Sequence, residues 1–448
     1  MKKVITYGTY DLLHQGHVNL LTRAKALGDY LIVGVTNDNF DRERGKLNVK
    51  DNVLDRVEAV KRTGLADKVI IEDYVGQKID DIQKYDIDIF TVGSDWQGHF
   101  DYLKEFCDVV YLPRTEGVSS TQLRQKQDEN VKIGVVGCGR IANRFPKEAN
   151  FVSQVTVEGF YDVQQDQARQ LADACGYGTV YTSFLELVDA VDAVYIATPH
   201  LLHYEQAKTA LTRHKHVLCE TPLVLQGAQA RELYALAEAN QVVLMEANKT
   251  AHCPAFNHLM TIIKSGLIGE VVDVEASESK VWGNPNLREL DPQQAGGSFY
   301  EMGSYPLLPI IRLCGCEFKQ FHFYSRMQNE VDVYTKGILQ YDKAVCSFKL
   351  GLGVKTEGNL VVSGTKGYAY VPAPWWKTDY FELRYEDQNQ NKKFFYKWDG
   401  DGLRYEVQEF ITCIVNHRLS SAHLRRRESI VMADMMENFA QRKNFIEI

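Results

Sequence analysis

Two histidines three residues apart, His14 and His17, flank Gln15-Gly16 just after the first apolar run of the chain, in the stretch GTYDLLHQGH that begins at Gly8. If a helix starts here, that spacing brings both imidazoles to one side of its N-terminus, beside backbone N–H groups with no intrahelical partner. Such a place binds phosphate, and imidazoles in it donate hydrogen bonds to the charge that builds on phosphate oxygens as pyrophosphate leaves. The phosphate of a second substrate can be the nucleophile, so the chain need not supply one, and a Mg²⁺ ion would clamp a triphosphate. Two surface histidines near a glycine also arise by chance; the position after the first strand is what strengthens the motif. A second element, RTEGVSST (Arg114 to Thr121), offers an arginine followed by hydroxyls at a helix N-cap. It reads either as a plain cap or, beside the histidines, as a phosphate-binding loop.

A different cradle lies further on. Gly137-Cys138-Gly139-Arg140-Ile141-Ala142 is a G-x-G-x-x-A after an apolar run. Its glycines let the backbone turn tightly and approach a pyrophosphate at a helix N-terminus. The next strand, VTVEGFYDV, ends in Asp162, where an acid accepts hydrogen bonds from ribose hydroxyls. No arginine or lysine follows at once to hold a 2′-phosphate, which favours NAD(H) over NADP(H). The alternative is an acid that merely caps a loop.

The elements that must carry these residues alternate. Short β-rich runs at KKVITYG, DYLIVGVTN, KVIIED, IDIFTVG and VVYLPR are separated by amphipathic helical stretches, which predicts a parallel, doubly wound sheet. After the polar stretch Gln125 to Asn130 the rhythm restarts with KIGVVG, VTVEGFYD, AVYIATP, HVLCE and VVLMEA. Beyond about residue 265, longer alternating runs such as VVDVEASESKV and DVYTKGILQY predict a largely antiparallel sheet covered by helices. The expected domains are 1–127, 131–250 and 251–448: an α/β nucleotide-binding domain, a second Rossmann domain, and an α+β domain.

Composition narrows the class. With 448 residues, 45% hydrophobic and 25% charged, the chain suits two or three globular domains. A net charge of −8 argues against a nucleic-acid binder. Nine cysteines at irregular spacing, with Cys314 and Cys316 the only close pair, read as reduced thiols and not as a disulfide or metal framework. The start MKKVITYG lacks a signal-peptide core and no apolar stretch is long enough to span a bilayer, so a cytoplasmic location is expected.

Residues 1–125 resemble the glycerol-3-phosphate cytidylyltransferase family, within the HxGH nucleotidyltransferases. The likeness rests on GTYDLLHQGH, VGSDWQGHFDYL and RTEGVSST. It implies CMP transfer from CTP to a small polyol phosphate. By resemblance His14, His17, Lys46, Arg114, Ser119 and Thr121 would be catalytic. Gly8, Thr9, Tyr10, Asp11, Gly16, Arg56, Asp95, Trp96, Glu116, Gly117 and Ser120 would bind the nucleotide, with Asp11 also assisting the metal. For Lys46 the sequence alone equally allows a solvated surface loop.

Residues 131–448 resemble the glucose–fructose oxidoreductase/inositol dehydrogenase (Gfo/Idh/MocA) family. Gly137, Gly139, Arg140, Ile141 and Asp162 would hold the cofactor together with Thr198, Pro199 and His203 of the A-T-P-x-x-x-H segment. Glu220-Thr221-Pro222 occupies the place of the family's E-K-P, so the usual lysine is Thr221. Lys249, in EANKTAHCP, is a candidate replacement that would hold a phosphate or polarise a carbonyl, or else a surface lysine opening a helix. In GGSFYEMGSYPLLPI, Glu301 and Tyr305 fall where many members carry D-x-x-x-H. The resemblance makes Tyr305 the general acid for carbonyl reduction; a packed core aromatic is the other reading. A nearby Lys249 ammonium would lower the phenol pKa.

Together the halves predict a bifunctional enzyme that makes a CDP-linked polyol of the kind used in teichoic-acid-like or capsular polymers. CTP and a polyol or ketose phosphate are the expected substrates, NAD(H) or NADP(H) and Mg²⁺ the cofactors, and a homo-oligomer (dimer or tetramer) the expected assembly. The alternative is an active cytidylyltransferase with a catalytically inert, NAD-binding sensor or scaffold.

Overall fold

The computed structural model describes residues 1–43, 46–47, 49, 51–74, 76–113, 130–281, 287–398 and 400–448. It forms two compact units, Met1–Asn130 with Asn150–Thr156, and Val131–Ala149 with Val157–Ile448.

In the first unit, β1 (Lys3–Gly8), β2 (Tyr30–Thr36), β3 (Lys68–Glu72), β4 (Ile89–Gly93) and β5 (Asp108–Leu112) make a parallel sheet in the order β3-β2-β1-β4-β5. Val4, Leu31, Val33 and Ile89 face one layer with Leu21, Ala24 and Val60; Ile5, Ile32 and Phe90 face the other with Ile82 and Leu103. A sheet covered on both faces needs apolar residues at consecutive positions, which is why these strands read as unbroken runs. The strand order reverses between β1 and β4, and such a switch point opens a crevice at the carboxyl ends of the two strands.

The second unit begins with β6 (Val131–Val136), β7 (Val155–Tyr161), β8 (Thr179–Val180), β9 (Ala193–Ile196), β10 (His216–Glu220) and β11 (Leu244–Ala247). Their order is β11-β10-β9-β6-β7-β8, with the switch point between β6 and β9. A nine-stranded sheet follows: β12 (Val271–Ser279), β13 (Gln320–Gln328), β14 (Val331–Gln340), β15 (Val345–Gly351), β16 (Leu360–Gly364), β17 (Gly367–Val371), β18 (Tyr380–Tyr385), β19 (Lys392–Phe395) and β20 (Phe445–Glu447). It is mainly antiparallel, but β12 runs parallel to β15 and β13 to β20. The fold class is therefore the expected one, a largely antiparallel sheet that includes these two parallel pairs. The short strands β8, β17, β19 and β20 are additions to the sequence reading, too brief to leave a periodic signal.

One buried carboxylate ties the large sheet to the chemistry in front of it. Asp332 of β14 accepts hydrogen bonds from the Phe299 N–H at 3.0 Å and the Thr335 hydroxyl at 2.7 Å, and from the Ser298 hydroxyl. It thus satisfies the exposed start of the short helix Ser298–Met302, which carries Glu301 and leads into the helix Ser304–Cys314 with Tyr305 near its start. Among the described residues no helix is long and apolar enough to cross a membrane.

Candidate active sites

In the first unit the histidine pair stands at the carboxyl end of β1. His14 is the N-cap of the helix Gln15–Lys25, and its Nδ1 accepts the Gly16 N–H at 3.1 Å. A backbone amide can only donate, so Nδ1 is the unprotonated nitrogen and the ring proton lies on Nε2. The His17 ring lies nearly flat against that of His14, centroids 4.0 Å apart at 22°, and Tyr10 meets His17 edge-on at 5.5 Å.

The loop before the helix is strained and heavily tethered. Tyr10 and Leu12 have φ of 55° and 45°. Such conformations cost L-residues about 1–3 kcal/mol each and persist only where the surroundings impose them. A Cβ on Gly8 would lie 3.0 Å from the Tyr10 ring, so glycine lets that ring fold back over the strand end. Asp11 accepts the Asp51 N–H at 3.0 Å, and Asp51 in return accepts the Leu12 N–H at 3.2 Å. Arg56 donates to the Thr9 carbonyl at 2.7 Å, to the Asp51 carbonyl at 2.9 Å, and to the carboxylates of Asp38 and Asp41 at 2.5 and 3.4 Å.

One expectation changes accordingly. Arg56 is 0% exposed and its guanidinium is committed to the protein, so it positions the loop and is not a phosphate ligand. Asp11, 2% exposed, gives one carboxylate oxygen to the Asp51 amide and so also takes part in holding this loop. Among the described residues no cluster of His, Cys, Asp or Glu side chains is arranged to hold a metal ion. Lys46, by contrast, reaches in: its Nζ donates to the Thr9 hydroxyl at 2.6 Å, which itself donates to Asp41 at 3.1 Å. Asp95 and Trp96 lie in the turn Ser94–Trp96 directly after β4, at the switch point; Trp96 is 42% exposed and offers an aromatic face. Gly16 falls in the first turn of the helix. Arg114, Glu116, Gly117, Ser119, Ser120 and Thr121 lie outside the described residues.

The second unit has its own turn at a strand end. Gly137 adopts φ 86°, and a Cβ there would come within 2.8 Å of the Ala197 carbonyl oxygen, so only glycine fits. A Cβ on Gly139 would meet nothing, leaving open space beside the backbone. Residues Gly139 to Arg144, including Arg140 and Ile141, form turns, and the helix that follows is only Phe145–Ala149. The backbone beyond the glycines is therefore a run of turns and not the long helix that the motif led us to expect. Asp162 accepts the Cys138 N–H at 2.7 Å and the Gln164 N–H at 2.8 Å, which aims its carboxylate at the glycine turn. These features fit a dinucleotide.

His203 is fully buried, its ring nitrogens 2.8 Å from the Thr198 carbonyl and 2.9 Å from that of Pro222. It fastens the loop of Thr198 and Pro199 to that of Glu220 and Thr221, acting on cofactor geometry from behind. Glu220 closes β10, takes a hydrogen bond from the Tyr195 hydroxyl, and has its pKa raised by burial. Lys249 is 7% exposed, not a surface lysine, and lies within electrostatic reach of Glu220, Glu278 and Glu406. Tyr305 interacts with Thr221. Its phenol pKa is pushed well above the ordinary value, first by burial and then by Glu220, Glu278 and Glu406, opposite to the lowering expected from Lys249. A phenol in that state remains protonated at neutral pH and so carries a proton to give.

Beside it, Glu301 takes two hydrogen bonds from Arg288 at 2.8 and 3.0 Å and lies 3.7 Å from His200. Burial raises its pKa to about 7 against the opposing pull of Arg288. Sequence reasoning missed Glu278, Arg288, His200 and Glu406. Glu406 left a trace: within LRYEVQEFITCIV it falls on the helix face of Leu403, Val407 and Phe410, where an unpaired acid is out of place.

The comparisons divide along the same lines. A cytidylyltransferase-like family model matches residues 5–126; an oxidoreductase model with an NAD-binding Rossmann fold matches 131–248, and a GFO/IDH/MocA C-terminal domain model 256–370. Glycerol-3-phosphate cytidylyltransferase of Bacillus spizizenii is 53% identical over 125 residues, covering 28% of this chain and 96% of the relative. Trans-1,2-dihydrobenzene-1,2-diol dehydrogenase of Oryctolagus cuniculus is 31% identical over 284 residues, covering 60% of this chain and 85% of the relative. The chain belongs to both families. Its first part is a member of the glycerol-3-phosphate cytidylyltransferase family and the remainder a Gfo/Idh/MocA oxidoreductase, both families of enzymes. Among solved structures, a 3-ketoreductase from Actinomadura kijaniata in complex with NADP and TDP-benzene superposes with a TM-score of 0.64 at 22% identity, over 71% of this chain and 99% of that one. Levoglucosan dehydrogenase in complex with NADH and levoglucosan gives 0.63 at 18%, over 70% and 98%. At these identities the likeness concerns the fold of the Gfo/Idh/MocA part.

Proposed function

We propose that the cytidylyltransferase domain transfers CMP from Mg²⁺-bound CTP to a small polyol or ketose phosphate, releasing pyrophosphate. The Gfo/Idh/MocA part would reduce a keto or aldehyde group of the same small molecule before or after activation. The observation that carries the first half is the His14–His17 pair, stacked at a helix start with the proton of His14 directed to Nε2. Two imidazole donors at that edge suit a phosphate whose oxygens gain charge as the leaving group departs. Lys46 beside Thr9 adds a cation at the same loop, Trp96 a flat apolar surface for a base, and the segment Arg114 to Thr121 is assigned to the phosphates on sequence alone. The curated relatives of this domain are named for glycerol 3-phosphate, which makes a three-carbon acceptor the first to try.

For the second half, a bound NAD(P)H supplies the hydride. Gly137 and Gly139 accommodate the pyrophosphate, Asp162 lies on the ribose side, and Tyr305, held protonated by its surroundings, gives a proton to the carbonyl oxygen. Lys249 supplies the positive charge absent at Thr221. Asp162 without an adjacent basic residue favours NAD(H). Locations in the cytoplasm and in a homo-oligomer are part of the same reading.

The test is to incubate the protein with CTP, Mg²⁺ and a panel of triose to hexose phosphates, following pyrophosphate release and NAD(P)H oxidation separately. Pyrophosphate release on no member would sink the first half. Cofactor oxidation only when CTP is present would put reduction after activation. Cofactor binding without oxidation on any member would favour an inert sensor domain, the reading to which Thr221 in place of lysine lends support.

A further inference from the structure

Two thiols meet in the second unit, away from the residues assigned to either nucleotide site. Cys314 closes the helix Ser304–Cys314, at the opposite end from Tyr305, and Cys346 is the second residue of β15. Their sulfurs lie 3.5 Å apart although 32 residues separate them in sequence. A disulfide needs about 2.05 Å, so bond formation asks the sulfurs to approach by about 1.5 Å. The surroundings hold the encounter in place. Tyr341, in the turn between β14 and β15, donates its hydroxyl to the Gly315 carbonyl at 3.0 Å, one residue beyond Cys314. Its N–H donates to the Ala344 carbonyl at 2.8 Å and closes the same turn.

The two thiols differ in access. Cys346 is 0% exposed, whereas Cys314 lines a cavity of about 450 Å³ together with Leu313, Tyr341 and Ala344. Lys343 and Glu270 line it too, with side chains 74% and 53% exposed, so the cavity opens to solvent. A hydrogen bond from the Cys346 thiol favours the thiolate of Cys314, against burial and Asp273, while the Cys346 thiol itself is held well above its ordinary range. The thiolate is the reactive form of cysteine. The sulfur that solvent can reach is therefore also the nucleophile, and the sealed one stands behind it.

We propose that Cys314 and Cys346 form a redox-active dithiol that hydrogen peroxide converts to a disulfide and a small dithiol restores. The Cys314 thiolate attacks one peroxide oxygen and the O–O bond breaks. Cys314 becomes a sulfenic acid, and the departing hydroxide takes up the proton that Cys314 had released. The Cys346 sulfur then attacks the sulfenic sulfur, the S–O bond breaks, and the second oxygen leaves as water with the Cys346 proton. Two thiols lose two electrons and two protons, and one peroxide becomes two waters. The new bond fastens the far end of the Tyr305 helix to a strand inside the nine-stranded sheet, between β12 and β14.

The test treats the reduced, full-length protein with hydrogen peroxide, blocks the remaining thiols by alkylation at intervals, and maps the peptides by mass spectrometry. A peptide pair linked through Cys314 and Cys346 should appear at least about tenfold faster than any oxidation of Cys107 or Cys175. Those two thiols are also half-buried, but burial raises their pKa. Dithiothreitol should restore both thiols. Cys316→Ser should leave the link unchanged and Cys314→Ser should abolish it. Cys346→Ala should stop Cys314 at the sulfenic acid, which dimedone captures. Because the linked peptide is read in the parent protein, a variant that folds poorly does not remove the test. No linked peptide, a link through Cys316, irreversible oxidation of Cys314 with Cys346 still free, or oxidation no faster than at Cys107 and Cys175 overturns the dithiol.

Discussion

The two nucleotide sites use the same device, a glycine-containing turn at a strand end beside a sheet switch point, but they spend buried charge differently. In the cytidylyltransferase domain the buried cation Arg56 is matched by Asp38, Asp41 and two carbonyls, and its task is to hold a strained loop still. The groups assigned to chemistry there are His14, His17 and Lys46, at the carboxyl end of β1 and beside Thr9. In the Gfo/Idh/MocA part the buried acids Glu220, Glu278 and Glu406 stand near Lys249, and burial, reinforced by these acids, keeps Tyr305 protonated. A phosphoryl-type transfer needs fixed donors and no net proton, so a rigid, satisfied scaffold serves it. A carbonyl reduction consumes a proton each turnover, so a pocket rich in buried acids serves that.

The comparison can be broken most sharply at the histidines. His17→Ala should lower pyrophosphate release by about 10²–10³-fold, the size of loss when a preorganised donor is removed. NAD(P)H binding, measured by fluorescence quenching, should be unchanged in the same variant. If both activities fell together, the two sites would not be independent.

Next in size is the scaffold. Arg56→Met should destabilise the first unit by about 3 kcal/mol, because it strands two carboxylates that are now paired. A denaturant melt reads this directly. A variant of normal stability with only a raised KM for CTP would instead make Arg56 a ligand, contrary to its burial.

Removing the relocated cation sharpens the other side. Lys249→Met should slow carbonyl reduction by about 10²-fold, the lower end of the range for loss of an acid–base group. Adding Thr221→Lys to that variant should recover part of the rate, since position 221 lies in the same pocket. No recovery would mean that Lys249 serves the protein's structure and not the charge missing at Thr221.

The smallest effect concerns pH. Glu278 and Glu301 titrate near 7 in the folded protein, above the ordinary carboxyl value of 4.5. The folded state then binds more protons than the unfolded one between those values, so stability is highest below about 4.5 with respect to these groups and declines as pH rises toward 7. The Tm of the second unit should fall across that window, and Glu278→Gln should flatten the slope. A flat profile in the parent protein would show that the acids are compensated.

Much of this was readable from the chain. The strands of both parallel sheets are buried on two faces and announce themselves as apolar runs, and the motifs at His14, His17, Gly137 and Gly139 sit where those runs end. What was not readable depends on long-range closure. Arg56 looks like any helical arginine until Asp38, Asp41 and Thr9 fold around it. Lys249 and Tyr305 are both visible in sequence, but the carboxylates that set the state of Tyr305 come from β12 and from a helix about a hundred residues later, Leu403–Val415. The two-residue β8 and the edge strands β19 and β20 gain their partners only from the finished sheets.

The way Asp332 seats the helix Ser298–Met302 bears on how far this polypeptide can be treated as interchangeable parts. That helix is only five residues long and has no side-chain cap of its own, so its first turn is finished by a strand of the large sheet. A truncation just after the helix Ser304–Cys314 that kept Glu301 and Tyr305 would still discard Asp332, the platform on which they rest. Anyone grafting a new substrate layer onto this oxidoreductase would have to transplant Ser298, Asp332 and Thr335 along with the residues that face the substrate.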